Sequence, residues 1–279
     1  MKTWKIFVTT FKKLFDDHYT CDPTFNINNF TFVKANDAYP LELDGNRLPY
    51  DIIFEHDFRF FDPELQRKGY HENSVMYHVY KNRLHDAYDY IGFIEYDHVL
   101  PAQFTADMQR MIDTAGHDLM FAFNRFSFQQ LWEQGILMDP LRYLKEEGDP
   151  HSPWNCLRVI LDDYNRFHGT AFRMEDLARK KCFPTCHCVM MPSSRFDRIM
   201  SFHAFIMESG KVEQYHQHNW RSRAGLMERY LAVEFTLEDA ELVDAIQLEH
   251  RAYPIKVLKP DWVKSSLYKK ILRWIHKHS

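Results

Sequence analysis

Two carboxylates one residue apart, Glu95 and Asp97, follow an apolar run from Tyr90 to Ile94. A run of that kind predicts a buried strand, so both acids are delivered to its C-terminal end. In an α/β sheet that end of a strand is where ligands bind. A carboxylate pair there can hold a divalent cation against a diphosphate, because hard cations want oxygen ligands and usually share them with substrate phosphates. Asp97 is the candidate for direct contact with the cation, and Glu95 contacts it directly or through water. The third ligand stays open among His187, His218 and His250, because the chain holds 16 histidines and the sequence does not choose between them. Two acids flanking an aromatic also occur at ordinary solvated strand ends, so the surroundings carry the decision.

The elements that would position this pair alternate along the chain. Lys5 to Thr10 reads as a first strand with a polar exit, Phe30 to Lys34 as a second, and Ile52 to Phe54 as a third. From Asn73 onward, Val75, Met76, Val79, Tyr80 and Leu84 have helical spacing, and the strand at Tyr90 follows. A helix starts near Pro101 and Thr105, with Phe104, Met108, Met111 and Ile112 on one side. Asp118 to Phe123 is the next strand, running into Asn124 and Arg125. Residues 124–180 are less regular: Pro140, Pro150, Pro153 and Trp154 indicate loops and short helices, and an acceptor-binding insertion belongs there. The sheet resumes from His187 to Met191. Helices follow from about Ser194 to Met207 and from Met227 to Val233, and Tyr253 to Leu258 closes the sheet. Such alternation implies a mostly parallel sheet covered on both faces.

Several segments resemble one family. They are Gln66-Arg67-Lys68-Gly69-Tyr70, Glu72-Asn73, Met76-Tyr77-His78-Val79-Tyr80-Lys81-Asn82 and Tyr88-Asp89-Tyr90-Ile91-Gly92-Phe93. Two later blocks fit the same pattern: Cys188-Val189-Met190-Met191-Pro192 with Phe196-Asp197, and Gly225-Leu226-Met227-Glu228-Arg229-Tyr230-Leu231. Together, over about residues 4–258, they resemble the capsular-polysaccharide glycosyltransferases first catalogued as a domain of unknown function. Tyr80 stands where that family usually has Trp, and Glu95-Tyr96-Asp97 stands where many members have a His-Tyr-Arg-like string.

The resemblance implies a GT-A-like, Rossmann-like α/β fold, with a mostly parallel sheet flanked by helices in a single domain. It also implies a nucleotide-sugar donor, UDP-linked by default, and a glycan or lipid-linked acceptor, while the carboxylate pair Glu95 and Asp97 adds Mn²⁺ or Mg²⁺ as the expected cofactor. The end of the first strand, at Thr9, Thr10 and Lys12, is where such a fold meets the nucleotide. Tyr70 and Asn73 lie nearby by resemblance, Lys68 reaches a phosphate, and Glu95 with Tyr96 borders the donor. Glycosyl transfer with inversion needs a base for the acceptor hydroxyl, and Glu228 holds the family's Glu-Arg position. An acid near a helix N-terminus is also favoured by about 0.3–1 kcal/mol without any catalysis, and Arg229 can be a simple ion-pair partner, so both accounts stand at Glu228. Two other classes remain as alternatives. A metal-dependent phosphoesterase would gather a paired-metal cluster of Asp and His ligands. A non-catalytic nucleotide- or glycan-binding module of a polysaccharide assembly system would bind without releasing nucleoside diphosphate.

Composition narrows the field further. The 279 residues are 45% hydrophobic and 16% aromatic, enough for a large core holding most of the 23 Phe and 15 Tyr. A net charge of −4 argues against nucleic acid as a partner. Five cysteines fit a reducing, cytoplasmic setting better than a disulfide framework. Cys182, Cys186, His187 and Cys188 have ligand types that suit zinc, but no second pair follows at finger spacing, and buried reduced thiols are the simpler account. The apolar stretch Ile6 to Val8 is too short for a signal segment, and no run approaches the roughly 20 residues of a membrane span.

The segment 264–279, set apart from a domain over 1–263, carries Lys264, Lys269, Lys270, Arg273 and Lys277 and no acid. On a helical wheel Leu267, Ile271, Trp274 and Ile275 gather opposite those cations. A basic amphipathic helix of this kind fits an anionic membrane surface, a docking face on the domain itself, or a homodimer contact.

Overall fold

The computed structural model describes residues 1–44, 48–116, 119–123, 125–126, 157–180, 183–184, 187–215, 222–238, 240–242 and 248–251. Its sheet has seven strands: β1 (Trp4–Thr10), β2 (Phe30–Lys34), β3 (Ile52–Phe54), β4 (Tyr90–Glu95), β5 (Phe121–Ala122), β6 (Val189–Pro192) and β7 (Glu241–Leu242). They lie in the order β3-β2-β1-β4-β6-β5-β7. β1 pairs in parallel with β2 and β4, β2 with β3, and β5 with β7. β6 alone runs against its neighbours, antiparallel to both β4 and β5.

The apolar run of β1 explains its central place. Every residue of it except Lys5 is buried. Trp4, Ile6 and Val8 enter one layer of the core and Phe7 the other, so neither face meets water and the strand needs no polar alternation. Five long helices accompany the sheet: α1 (Glu72–Lys81), α2 (Phe104–Thr114), α3 (Leu157–His168), α4 (Ser193–Glu208) and α5 (Ser222–Leu237). The apolar faces of α1, α3, α4 and α5 share the layer of Phe7 and Phe93. α2 covers the opposite layer with Phe104, Met108 and Ile112. No side chain of its own caps α2. Instead the Asp22 carboxylate accepts from Gln103 N–H at 3.1 Å and Thr105 N–H at 2.9 Å, satisfying helix-start donors from a distant loop.

In β4, Gly92 meets a steric demand. A Cβ there would lie 3.0 Å from both the Val189 carbonyl oxygen and Ile6 Cγ1, so only hydrogen lets β6 and β1 close on β4.

The strands expected at 30–34 and 52–54 have those bounds, and the helix expected from Asn73 begins at Glu72. Leu84 leaves that helix for a separate 3₁₀ turn, because Asn82 caps it first. The helix expected over 227–233 runs over 222–237, its polar first turn hiding its start. His187 precedes its strand rather than opening it, with φ of 48° against the extended backbone of Val189–Pro192. Within the irregular region, α3 and a short helix at Met174–Ala178 are formed. The closing strand at 253–258 and the tail 264–279 lie outside the described residues.

Candidate active site

Register decides which side chains meet at the C-terminal edge of the parallel strands. In the β1–β4 ladder Thr9 lies opposite Glu95, and the Tyr96 N–H donates to the Thr9 carbonyl at 3.0 Å. In the antiparallel ladder Val189 lies opposite Phe93. Two residues before Val189 and two after Phe93 therefore reach the same edge. His187 accordingly faces Glu95, with Nδ1 3.7 Å from Oε1. Past the strand end come Asp97 and His98, with His98 Nδ1 3.3 Å from Asp97 Oδ1.

The helical layer adds three more groups. α1 starts at this edge and contributes Glu72 and Asn73. α5 contributes Glu228, whose Oε2 accepts from Arg229 Nη1 at 2.7 Å, while the same Nη1 donates to the Gly225 carbonyl at 2.7 Å. His187, His98 and Asn73 are buried, and Glu72, Glu95, Asp97 and Glu228 are partly exposed. The site thus has a dry floor of ring and amide and an acidic wall open to water.

Asn73 sets the state of His187. Its Nδ2 donates to the carbonyls of Tyr70 at 3.2 Å and Ala224 at 3.4 Å. Its Oδ1 therefore faces His187 and accepts from Nε2–H at 2.9 Å. That leaves the lone pair on Nδ1, which is buried without a hydrogen-bond partner and turned toward Glu95. Burial pushes the imidazole pKa down, so it is neutral. A neutral imidazole held through its far nitrogen is the form that ligates metals.

The carboxylates disturb one another. Desolvation, then the charges of Asp97 and Glu228, hold Glu95 well above the usual carboxylate range. Desolvation and then Glu95 raise Glu72 to about 8. Two overlapping groups of ligand atoms lie within reach of a single ion: Glu72 with Glu95 and His187, and Glu95 with Asp97 and His98. Backbone strain accompanies this geometry. His187 has φ of 48°, and His71, just ahead of α1, has φ of 52° and ψ of −121°. Non-glycine residues held in such regions cost about 1–3 kcal/mol and gather at functional sites.

Of the residues expected to hold the nucleotide, Thr9 and Thr10 are buried at the end of β1, and the Thr10 hydroxyl donates to the Lys13 carbonyl at 3.2 Å. Lys12 Nζ lies 3.8 Å from Glu42. Tyr96 is buried with its ring edge-on to Phe11. Lys68 and Tyr70 converge on Glu213, each at 3.1 Å, so both are drawn to that carboxylate. His218 lies outside the described residues. The backbone of His250 pairs with His98, and Arg251 N–H donates to the Asp97 carbonyl at 2.8 Å. Glu228 falls in the second turn of α5, which removes the helix-start explanation for an acid there.

Sequence reasoning passed over Glu72 and His98. Glu72 carried one signal, an acid as the first residue of a helix, which is also what any helix start favours. Another group, His85 with Asp86 and Asp197, already has its cation: Arg83 pairs with both acids at 2.7 and 2.5 Å. Cys188 is buried with Sγ 3.5 Å from His98 Nε2, while Cys182 and Cys186 lie outside the described residues.

No protein-family profile and no curated protein matches the chain. Among solved structures it is similar to WbbM, a bifunctional glycosyltransferase in its apo form, with a TM-score of 0.59 and 12% identity. The likeness covers 90% of this chain and 46% of that one, so this chain spans less than half the length of that protein. At such identity the shared property is the fold, a mostly parallel α/β sheet with flanking helices. The chain shares its fold with that structure.

Proposed function

We propose that the chain moves a sugar from a nucleotide-sugar donor, UDP-linked on the family resemblance, to a glycan or lipid-linked acceptor. The reaction depends on a divalent cation, Mn²⁺ or Mg²⁺, held by Asp97 and Glu95. One observation carries this reading: a cluster of mutually repelling carboxylates at the ligand-binding edge of a glycosyltransferase-type sheet. Such a cluster is at its most stable when a cation is among it. The cation would supply neutralisation of the diphosphate leaving group.

The chain's own residues do the rest. Asp97 and Glu95 orient the cation from the strand end. Glu228 takes the proton from the acceptor hydroxyl, and Arg229 holds its carboxylate in place through Nη1. The floor of Asn73 and His187 keeps that side of the site dry. Residues 124–180 and the tail 264–279 are the proposed acceptor and membrane-facing parts, in keeping with a cytoplasmic enzyme on the cytoplasmic face of the membrane.

A second reading draws support from the two overlapping ligand groups that share Glu95. Paired cations a few ångströms apart are typical of phosphoester hydrolysis. The two readings, and a non-catalytic binder, part in one experiment. Purified protein is incubated with a panel of nucleotide sugars and Mn²⁺, and in parallel with simple phosphodiesters. Slow release of nucleoside diphosphate with free sugar supports transfer, phosphodiester cleavage supports the hydrolase, and binding without turnover supports the module.

A further inference from the structure

We infer that the chain binds two metal ions, and that the second sits on a nitrogen-bearing centre made by Glu72, Glu95 and His187. Glu95 lies between this ion and the one on Asp97. The inference rests on the proposed cation at Asp97 and Glu95 and names what stands beside it.

Three independent features support the centre. The ligand atoms of Glu72, Glu95 and His187 lie within 4.8 Å of one another, and those of Glu95, Asp97 and His98 do likewise, so Glu95 belongs to both groups. His187 is 4% exposed, and its Nδ1 is buried with no hydrogen-bond partner. A buried polar atom without a partner costs free energy unless something fills its lone pair, and this one faces a carboxylate oxygen at 3.7 Å. At 3.7 Å the ring nitrogen and the carboxyl oxygen are too far apart to hydrogen-bond each other; a cation between them satisfies both. Finally, the imidazole is set in advance: Asn73 is anchored on two carbonyls and takes the opposite N–H. Carboxylate–imidazole and amide–imidazole supports of this kind are what metal-ligating histidines need.

The carboxyl groups agree with two ions. Glu72, Glu95 and Asp97 reach the same edge, beside the Glu228–Arg229 pair. One divalent ion on Asp97 and Glu95 leaves the Glu72 oxygen and the His187 nitrogen unused, and a second ion engages both. The donor set also selects among metals. Imidazole nitrogen suits Mn²⁺, Co²⁺ and Zn²⁺ in rising order, whereas Mg²⁺ prefers oxygen and water. The Glu72–Glu95–His187 centre is therefore a transition-metal site, even where Mg²⁺ fills the neighbouring one.

The test is metal stoichiometry on the chelator-stripped full chain, without any sugar donor. Wild type should bind two Mn²⁺ by calorimetry and elemental analysis, and the loaded protein should show a spin-coupled electron paramagnetic signal. His187→Ala and Glu72→Gln lie on different elements, and each should drop the count to one and leave an uncoupled signal, with far-ultraviolet dichroism unchanged. Asp97→Asn should also bind one ion, now with nitrogen hyperfine structure. One ion per wild-type chain would overturn the centre, as would two ions persisting in both His187→Ala and Glu72→Gln. Absence of sugar transfer with two ions bound would count against the proposed reaction and leave this centre standing.

Discussion

Glu228 and Glu72 are the residues at which the account is most exposed. Glu228 is partly exposed, bonded to Arg229, and close enough to raise the pKa of both Glu72 and Glu95. As a general base it should contribute about 10²–10⁴-fold to the chemical step. Glu228→Gln should therefore lower kcat by that order with donor affinity little changed. A variant that keeps its kcat per folded molecule but melts earlier would assign Glu228 a purely structural pairing with Arg229.

Glu72 yields a pH prediction. Its folded-state pKa is raised from 4.5 to about 8, so the folded chain holds that proton more tightly than the unfolded one. The resulting stability is fully present below about pH 4.5 and is lost as pH rises through about 8. The melting temperature of the metal-free protein should thus fall across that window, and Glu72→Gln should flatten the fall. Ions bind the deprotonated carboxylates and release protons, so added Mn²⁺ should raise the melting temperature more near pH 8 than near pH 5. An equal rise at both pH values would contradict the raised pKa.

At the scale of elements, what the sequence disclosed followed from local pattern. β2 and β3 were legible because aromatic and β-branched runs end in turn residues, and α1 because Val75, Met76 and Val79 share one face. The pairing of Glu95 with Asp97 at a strand end was legible for the same reason. The antiparallel sense of β6 was not, since nothing in Val189–Pro192 states which neighbour it joins or in which direction. That one fact brings His187 to Glu95, and without it three histidines were equivalent. Glu72 was hidden similarly: an acid opening a helix looks the same whether it caps or ligates. The close approach of β6 also makes a prediction. Gly92→Ala puts a methyl against the Val189 carbonyl and Ile6, and overpacking of this kind costs about 1–3 kcal/mol. Urea unfolding should show that loss, with weakened metal binding because His187 is displaced from Glu95. A change under about 0.5 kcal/mol would mean the strands separate freely there.

For the whole molecule, the likeness in fold covers 90% of the chain and 46% of the solved glycosyltransferase it is similar to. Among the described residues no helix is long and apolar enough to cross a membrane. We propose that the basic segment 264–279 contacts the membrane, where each cation adds about 1 kcal/mol near an anionic surface. The full chain should float with anionic liposomes, less so in high salt, and a chain ending at Val263 should not; equal flotation would place the apolar stripe on protein instead. In the proposed reaction the carboxylate edge holds a cation on which transfer depends. The most direct test is the rate of nucleoside diphosphate release from the preferred nucleotide sugar, measured for wild type in Mn²⁺, wild type in excess chelator, and Asp97→Ala in Mn²⁺. Release is expected only in the first, with Asp97→Ala folded and inactive. Undiminished release in chelator, or full activity of Asp97→Ala, would contradict this dependence.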